Sequence, residues 1–193
     1  RGHRRQRDAA VLASRAEAEQ RRIAETVTDF VVNDLMSGGD PVEGETGTSF
    51  ETVIDSAMQS VGSRFAGIPG YQARMQYAFG RSYLNLGIVD KAQPPLEDAR
   101  RLLDSVGDRT SDLSINVDLA LAEVLWRQHR AEDYLPRLKQ ILDGLVAQRG
   151  PQDVLVLNVQ NQYGNALKNS GRLDEAQAIY EQVIAGRSRV LGA

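Results

Sequence analysis

Residues 158–193 read NVQNQYGNALKNSGRLDEAQAIYEQVIAGRSRVLGA, and this stretch decides the fold of the chain. Apolar residues recur every three or four positions on both sides of Gly171, which interrupts the pattern. The stretch therefore predicts two amphipathic helices joined by a tight turn. Gly164 falls inside the first helix, where glycine costs roughly 0.5–1 kcal/mol relative to alanine. We expect Gly164 to be there because the second helix approaches closely.

The same pattern occurs twice more upstream, at intervals of 42 residues. Gly80 and Gly87 stand two intervals before Gly164 and Gly171, and the intermediate copy keeps apolar residues in the same register. The aligned triplets are Phe79, Leu121 and Tyr163; Tyr83, Leu125 and Leu167; Leu96, Leu138 and Tyr180; and Ala99, Ile141 and Val183. Three copies of one helix pair are therefore predicted, each of which buries part of its apolar surface against the next.

The last repeat has a glycine in the first helix and a glycine at the turn, followed by a small residue and an aromatic one in the second helix. This order resembles the tetratricopeptide repeat (TPR). The 42-residue period resembles the longer form found in kinesin light chains and many bacterial signalling proteins, and the ending from Arg187 to Gly192 is similar too. The resemblance implies an all-α fold, a right-handed α-α superhelix of antiparallel helix pairs. HEAT and armadillo repeats have periods of about this length but other motifs.

The middle copy departs from the pattern at three positions. Ala122 replaces the packing glycine, His129 stands at the turn, and Tyr134 stands where a small residue is expected. Histidine tolerates a left-handed backbone better than most residues, whereas Tyr134 predicts a slightly wider spacing of the two helices. Pro94 and Pro136 align early in their helices, where proline is tolerated if it falls in the first turn.

The N-terminal third predicts a different organisation. We expect a polar lead-in helix or stalk over 1–22 and a capping helix pair over 23–66, with an acidic loop over 37–49. Three repeats are expected over 71–193, at about 71–110, 113–150 and 154–193. The two cap helices have apolar stripes, which are Ile23, Val27, Phe30, Val31 and Leu35, and then Phe50, Val53, Ile54, Ala57, Met58, Val61 and Phe65. Thr48 and Glu51 predict a capping box before the second.

The N-terminal third contains an Arg/Ala/Glu-rich helix and then ETVTDFVVNDLMSGGDP, and the repeats follow. This order resembles the segment after the transmembrane helix of bacterial receptor-type Ser/Thr protein kinases and of some membrane-bound transcriptional regulators. The resemblance implies the sensory or docking region of a larger signalling protein, with a kinase or other output domain outside this sequence. We then expect the chain to be the extracytoplasmic part of a single-pass membrane protein, with a cytoplasmic location as the alternative. Because the chain begins at Arg1 without methionine, we expect a fragment.

Several classes of function are disfavoured by composition and spacing. A net charge of −3 argues against general nucleic-acid binding, and the chain has no cysteine for thiol chemistry. His3 and His129 have no second metal ligand or base at a useful spacing, and carboxylates such as Asp104 and Asp108 are most simply solubilising. We therefore expect no catalytic residue, no metal site and no cofactor.

The TPR resemblance implies that a protein segment binds in a concave groove lined by the first helices. The side chains expected to face this groove are Arg74, Tyr77, Arg81, Leu84 and Asn85 in the first repeat; Asn116, Leu119, Glu123, Trp126 and Arg127 in the second; and Asn158, Asn161, Gln162, Asn165, Lys168 and Asn169 in the third. Amide side chains can pair with the main chain of an extended peptide, and Trp126 would be the apolar anchor. In the alternative, Trp126 fills space between helices, and the chain is a structural spacer or homodimerisation element without a groove ligand.

Overall fold

The computed structural model of the protein describes residues 50–191 and the isolated positions 17, 18, 21, 22 and 25. The continuous stretch contains seven helices and no strand, which confirms the all-α prediction for these residues. They are α1 Phe50–Arg64, α2 Pro69–Asn85, α3 Val89–Ser105, α4 Asp112–Arg127, α5 Ala131–Arg149, α6 Val154–Asn169 and α7 Leu173–Leu191. The chain divides into two compact units, residues 1–72 and 73–193, which are described separately.

In the first unit, α1 has the apolar face that its sequence predicts. Ile54, Ala57 and Val61 are buried along it. Phe65 follows at the end of the helix and is also buried, and its ring stacks on that of Tyr71 with centroids 6.5 Å apart and planes 8° from parallel. The stripe of α1 therefore packs as an amphipathic helix should.

Other predictions for the N-terminal third lie wholly or partly outside the described residues. These are the lead-in helix or stalk, the first cap helix, the acidic loop and the Thr48 side of the capping box. The five isolated positions are helical and exposed. The domain limits drawn from the sequence stay predictions.

The second unit contains three helix pairs, each closed by a turn of three residues. One residue in each turn has a left-handed backbone, with φ of 77° at Gly87, 58° at His129 and 77° at Gly171. Glycine adopts this conformation without steric cost, and histidine does so more readily than most residues. The expectation for His129 is confirmed, and the short turns make the helices of each pair antiparallel.

Glycines allow the two helices of a pair to approach closely, as the sequence predicts. A Cβ atom built at Gly80 would lie 2.6 Å from Leu96 Cδ2, and one at Gly164 would lie 2.8 Å from Tyr180 Cε1. Both distances are far inside van der Waals contact. A third packing glycine, Gly186, was not predicted, and a Cβ atom there would overlap Leu157 Cδ2.

The aligned prolines lie early in their helices but beyond the first turn. Pro94 and Pro136 are each the sixth residue of a helix, because α3 already begins at Val89 and α5 at Ala131. The condition for toleration in the first turn is therefore not met. A proline at this position cannot donate a backbone hydrogen bond to the carbonyl four residues earlier. Both proline side chains are exposed.

The Arg100 side chain on α3 joins the first helix pair to the second. Its Nη1 donates to Ser114 Oγ at 2.7 Å and lies 3.5 Å from Asp118 Oδ2, while its Nη2 donates to Asp104 Oδ1 at 3.1 Å and to the Asp108 carbonyl at 2.8 Å. Asp104 is thus part of an ion-pair network, which corrects the interpretation of this residue as merely solubilising.

Asp108 also has a structural role, at the loop between α3 and α4. Its Oδ1 accepts hydrogen bonds from the backbone N–H groups of Ser111 at 3.0 Å and Thr110 at 3.3 Å. Hydrogen bonding by Ser111 lowers the pKa of the Asp108 carboxyl, against a smaller opposing effect of burial. Ser111 in turn caps α4, because its side chain accepts from Ser114 N.

Gly144→Ala should raise the free energy of unfolding by about 0.5–1 kcal/mol, because alanine favours a helix and nothing obstructs it. Gly144 lies inside α5, and a Cβ atom there would meet no atom within 4 Å. Urea denaturation measures the change. The matched control is Gly171→Ala, where φ is 77° and the same substitution should destabilise the chain. A destabilised Gly144→Ala variant would contradict the expectation.

Candidate functional site

The first helices of the three pairs, α2, α4 and α6, together line an open cavity of about 630 Å³, here called the central groove. Eight of the residues predicted to bind a partner line it: Tyr77, Arg81, Glu123, Trp126, Arg127, Gln162, Asn165 and Asn169. Asn116 and Leu119 line it as well. The period of 42 residues therefore places these side chains around a single space.

The other predicted residues do not line the central groove. Arg74, Asn158 and Lys168 are exposed but outside its lining, and Asn161 is half-buried outside it. Leu84 is fully buried, so its expected orientation toward a partner is wrong. The same register places Trp126 and Lys168 at the surface, which shows that register alone does not fix how deeply a side chain is buried.

A charged cluster occupies the middle of the groove. The Glu123 carboxylate accepts hydrogen bonds from Arg81 Nη1 in the preceding repeat and from Arg127 one turn later, the latter at 2.9 Å from Nε and 2.6 Å from Nη2. Burial raises the pKa of Glu123, but the hydrogen bonds from Arg81 and Arg127 outweigh it, and the pKa lies below its usual value. The carboxylate is therefore ionised at neutral pH, and the cluster has a net charge of +1.

Glu123→Gln should lower the free energy of unfolding at pH 7, because the ionised carboxylate binds two arginines. A lowered pKa gives stability that is present above the unfolded value, near 4.5, and is lost as the pH falls through the folded value. The difference between variant and parent should therefore shrink as the pH falls below that value, as measured by urea denaturation across pH. Asp143→Asn, which removes an exposed ion pair with Lys139, is the control and should change little throughout. A difference that stays constant from neutral to acidic pH would contradict this account.

Trp126 and Tyr134 form an aromatic pair beside the charged cluster. Their ring centroids are 5.4 Å apart with planes tilted by 46°, and Trp126 is 38% exposed. Burial, and to a smaller degree the Glu123 carboxylate, raise the pKa of Tyr134, so its hydroxyl is neutral at physiological pH. Trp126 thus both fills space against Tyr134 and presents apolar surface to the groove. Tyr134 was interpreted as a misfit in the repeat, and its role in the groove was not predicted.

The amide side chains of α6 form the other wall. Gln162, Asn165 and Asn169 are exposed along the groove. Tyr180 in α7 donates its hydroxyl hydrogen bond to Asn165 Oδ1 at 2.7 Å, which orients that amide. An oriented row of amides offers both donors and acceptors at the surface.

Two serines in the described part of the chain have structural partners. Ser82 and Ser170 each donate to the backbone carbonyl one turn earlier. Within the described residues, no three histidines or acidic side chains are grouped in a way that could hold a metal ion. Each helix in the same residues is too short or too polar to serve as a membrane span.

Residues 111–189 match the tetratricopeptide repeat family. These residues are similar to tetratricopeptide repeats. The matched region begins at the cap of α4 and ends in α7, so it contains the second and third helix pairs. Tetratricopeptide repeats generally act as protein–protein interaction modules and are typically not catalytic. No curated protein sequence matches the chain.

Solved structures of tetratricopeptide repeat proteins share this fold. A putative kinesin light chain from Podosopora anserina with nearly identical TPR-like repeats superposes with a TM-score of 0.62 at 16% identity, over 73% of this chain and 67% of that one. BtubC (BKLC) from P. vanneervenii superposes with a TM-score of 0.65 at 19% identity, over 93% and 72%. At this level of identity the similarity concerns the fold alone. The predicted fold class, a TPR-like solenoid, is confirmed.

Proposed function

We propose that the chain binds a protein segment in an extended conformation along the central groove. The observation that carries this proposal is that apolar, charged and amide side chains from three consecutive repeats line one open cavity. The amides of Asn165 and Asn169 can pair with N–H and C=O groups of an extended main chain. Trp126 offers the large apolar surface that often dominates binding energy at interfaces.

We also propose that this binding module is the sensory or docking region of a larger bacterial signalling protein. The support is the resemblance of the N-terminal third to the segment after the transmembrane helix of receptor-type Ser/Thr kinases and membrane-bound regulators. In that setting the groove would recognise a partner, and a separate domain would produce the output. The sequence of the neighbouring N-terminal region in the full-length protein tests this context, because a transmembrane span beside a kinase or DNA-binding domain would be obvious.

Trp126→Ala is expected to weaken binding of a partner segment by roughly thirtyfold, the effect of losing an interface residue worth about 2 kcal/mol. Asn165→Ala should weaken it less, because one amide contributes fewer contacts. A partner is first isolated by co-purification with the intact chain, and the binding segment is mapped by truncation. The affinity of that segment is then measured by calorimetry for the parent and each variant.

Two control variants separate groove binding from other effects. Lys168→Ala lies on α6 beside Asn169 but outside the groove lining, and Gln177→Ala is exposed on α7. Both should bind as the parent does. If Trp126→Ala and Asn165→Ala also retain full affinity while their melting temperatures match the parent, the central groove is not the binding site and a structural spacer becomes the better interpretation.

A further inference from the structure

The contact between the two helices of a pair differs among repeats at one equivalent position. In the third pair a Cβ atom at Gly186 of α7 would overlap Leu157 of α6, so leucine fills the space beside this glycine. In the second pair the equivalent residues are Ile115 and Gly144, and a Cβ atom at Gly144 would meet no atom within 4 Å. The second pair therefore has open space where the third pair is filled.

The open space beside Gly144 belongs to a cavity of about 640 Å³ between α3, α4 and α5, here called the side cavity. Its apolar wall is formed by Ile115 and Leu145, which are buried, and by Ile141, which is half-buried. None of its lining residues lines the central groove. Concave sites of this volume, with an apolar wall and a few polar groups, are typical of those that hold small molecules.

Five charged side chains along the side cavity form a row of alternating sign. In order, they are Arg109, Asp104, Arg100, Asp118 and Arg137. Asp104 Oδ1 lies 3.5 Å from Arg109 Nε and 3.1 Å from Arg100 Nη2. Asp118 accepts a hydrogen bond from Arg137 Nη2 at 2.6 Å and lies 3.5 Å from Arg100 Nη1. Each carboxylate is thus shared between two arginines, an arginine stands at each end, and one positive charge is in excess.

The charged row, like the open space, is particular to the second pair. The residues one period later than Arg100, Asp118 and Arg137 are Leu142, Gln160 and Ile179. Because the third pair packs with uncharged residues at these positions and with its glycine space filled, the repeat itself requires neither feature. The two features occur together in one cavity, where they can act on one ligand.

Arg109, at one end of the row, lies on a loop that is held beside the open space. Gln148 Nε2, one turn after Gly144 on α5, donates to the Thr110 carbonyl at 2.9 Å, which fixes this loop against α5. Arg109 is 77% exposed, and its contact with Asp104 is made through Nε. The Nη atoms of a guanidinium supply further N–H donors in a planar fork that matches a carboxylate.

We propose that the side cavity binds a small amphiphilic anion, an aliphatic chain that ends in a carboxylate. The chain occupies the open space beside Gly144, against Ile115 and Leu145, and the carboxylate accepts hydrogen bonds from Arg109. Burial of the aliphatic carbons supplies most of the affinity, and the excess positive charge of the row favours an anion over a cation. Because the side cavity and the central groove share no residue, this site is independent of the binding proposed above.

Hexanoate is the probe, and the amide signals of Gly144, Leu145 and Ala147 in a nitrogen–proton correlation spectrum of the chain report its binding. These signals should shift saturably, with a dissociation constant on the order of 1 mM, which a ligand of about eight non-hydrogen atoms can reach. Hexylammonium has the same chain and the opposite charge, and it should bind about fivefold more weakly. Acetate, which lacks the chain, should cause no saturable shift.

Matched variants locate the bound probe. Gly144→Leu fills the open space and should weaken hexanoate binding by more than about tenfold, whereas Gly144→Ala fills it in part and should weaken binding less. Arg109→Gln should weaken binding by about threefold, the effect of one exposed ion pair. The controls are Arg101→Gln, which removes an equally exposed arginine outside the cavity lining, and Trp126→Ala in the central groove. Both should bind hexanoate as the parent does.

The absence of a saturable shift at the three reporting amides overturns the proposal, as does equal affinity for hexanoate and hexylammonium. Parent-like affinity of Gly144→Leu excludes the open space as the position of the chain. If Gly144→Leu does not melt as the parent does, Gly144→Ala decides the same question, because it is expected to be more stable than the parent. Parent-like affinity of Arg109→Gln excludes Arg109 as the partner of the carboxylate.

Discussion

Gly80→Leu is expected to lower the free energy of unfolding by about 3 kcal/mol, the upper part of the range for overpacking in a closely packed interior. A Cβ atom at Gly80 would lie 2.6 Å from Leu96 Cδ2 and 3.2 Å from the backbone oxygen of Ala92. Leu96 is fully buried, so its side chain has no free space to enter, and the carbonyl moves only if α3 moves. Urea denaturation of the variant and the parent measures the difference.

Two matched variants give the expected order of effects. Gly164→Leu should cost about 1–3 kcal/mol, because its nearest neighbours are the side chains of Tyr180 and Ile179, which are only half-buried. Gly144→Leu makes the same substitution inside a helix without a neighbouring atom, and it should cost nothing measurable. If Gly80→Leu and Gly144→Leu unfold at the same urea concentration, close approach does not explain the glycine at position 80.

Arg100→Met should lower the free energy of unfolding by about 3 kcal/mol, as removal of one member of a buried ion-pair network does. The Arg100 side chain is only 16% exposed and binds Ser114, Asp118, Asp104 and the Asp108 carbonyl. Methionine keeps the apolar stem but leaves the partners without their shared donor. The loss arises from the hydrogen bonds and ion pairs that Arg100 makes with these groups, although Asp118 keeps its ion pair with Arg137.

Arg101→Met is the control, since Arg101 is the next residue, is 76% exposed and forms an ion pair with Asp98 on the same helix. An exposed pair of this kind should contribute less than about 0.5 kcal/mol. The double variant Arg100→Met with Asp118→Asn should lose less than the sum of the single losses, because the two side chains share one interaction. Equal effects of Arg100→Met and Arg101→Met would contradict a structural role for the network.

The features that could be predicted from the sequence are those fixed by helical periodicity. Gly80 and Gly164 recur in one register, so their packing role follows from position alone. The same register places Arg81, Glu123 and Asn165 at equivalent points of successive first helices, and all three line the central groove. The opposite charges of Arg81 and Glu123 at equal register are a signal from which their ion pair could have been predicted.

The features that could not be predicted depend on how deeply a side chain is buried or on the path of the chain after a helix ends. Leu84 and Trp126 occupy the same register, yet one is buried and the other partly exposed, because the neighbouring second helices differ. Tyr134 reaches the groove from a second helix, whereas the pattern had assigned groove residues to first helices alone. The contacts of Asp108 depend on a loop, whose geometry is not periodic.

The bonds that run between the first and second helix pairs have a consequence for how the array comes apart. A solenoid can in principle unravel from one end, pair by pair, when the interfaces between pairs are weak. Here Arg81 bonds to Glu123, Gln128 donates to Gln93 at 3.0 Å, and Arg100 binds the start of α4. All of these bonds must break whether the first pair or the second pair detaches. The loss of either pair therefore costs the full free energy of the interface between them. We therefore expect the two pairs to unfold together as one cooperative block, and a segment bound along the groove should stabilise that block further because it contacts both pairs.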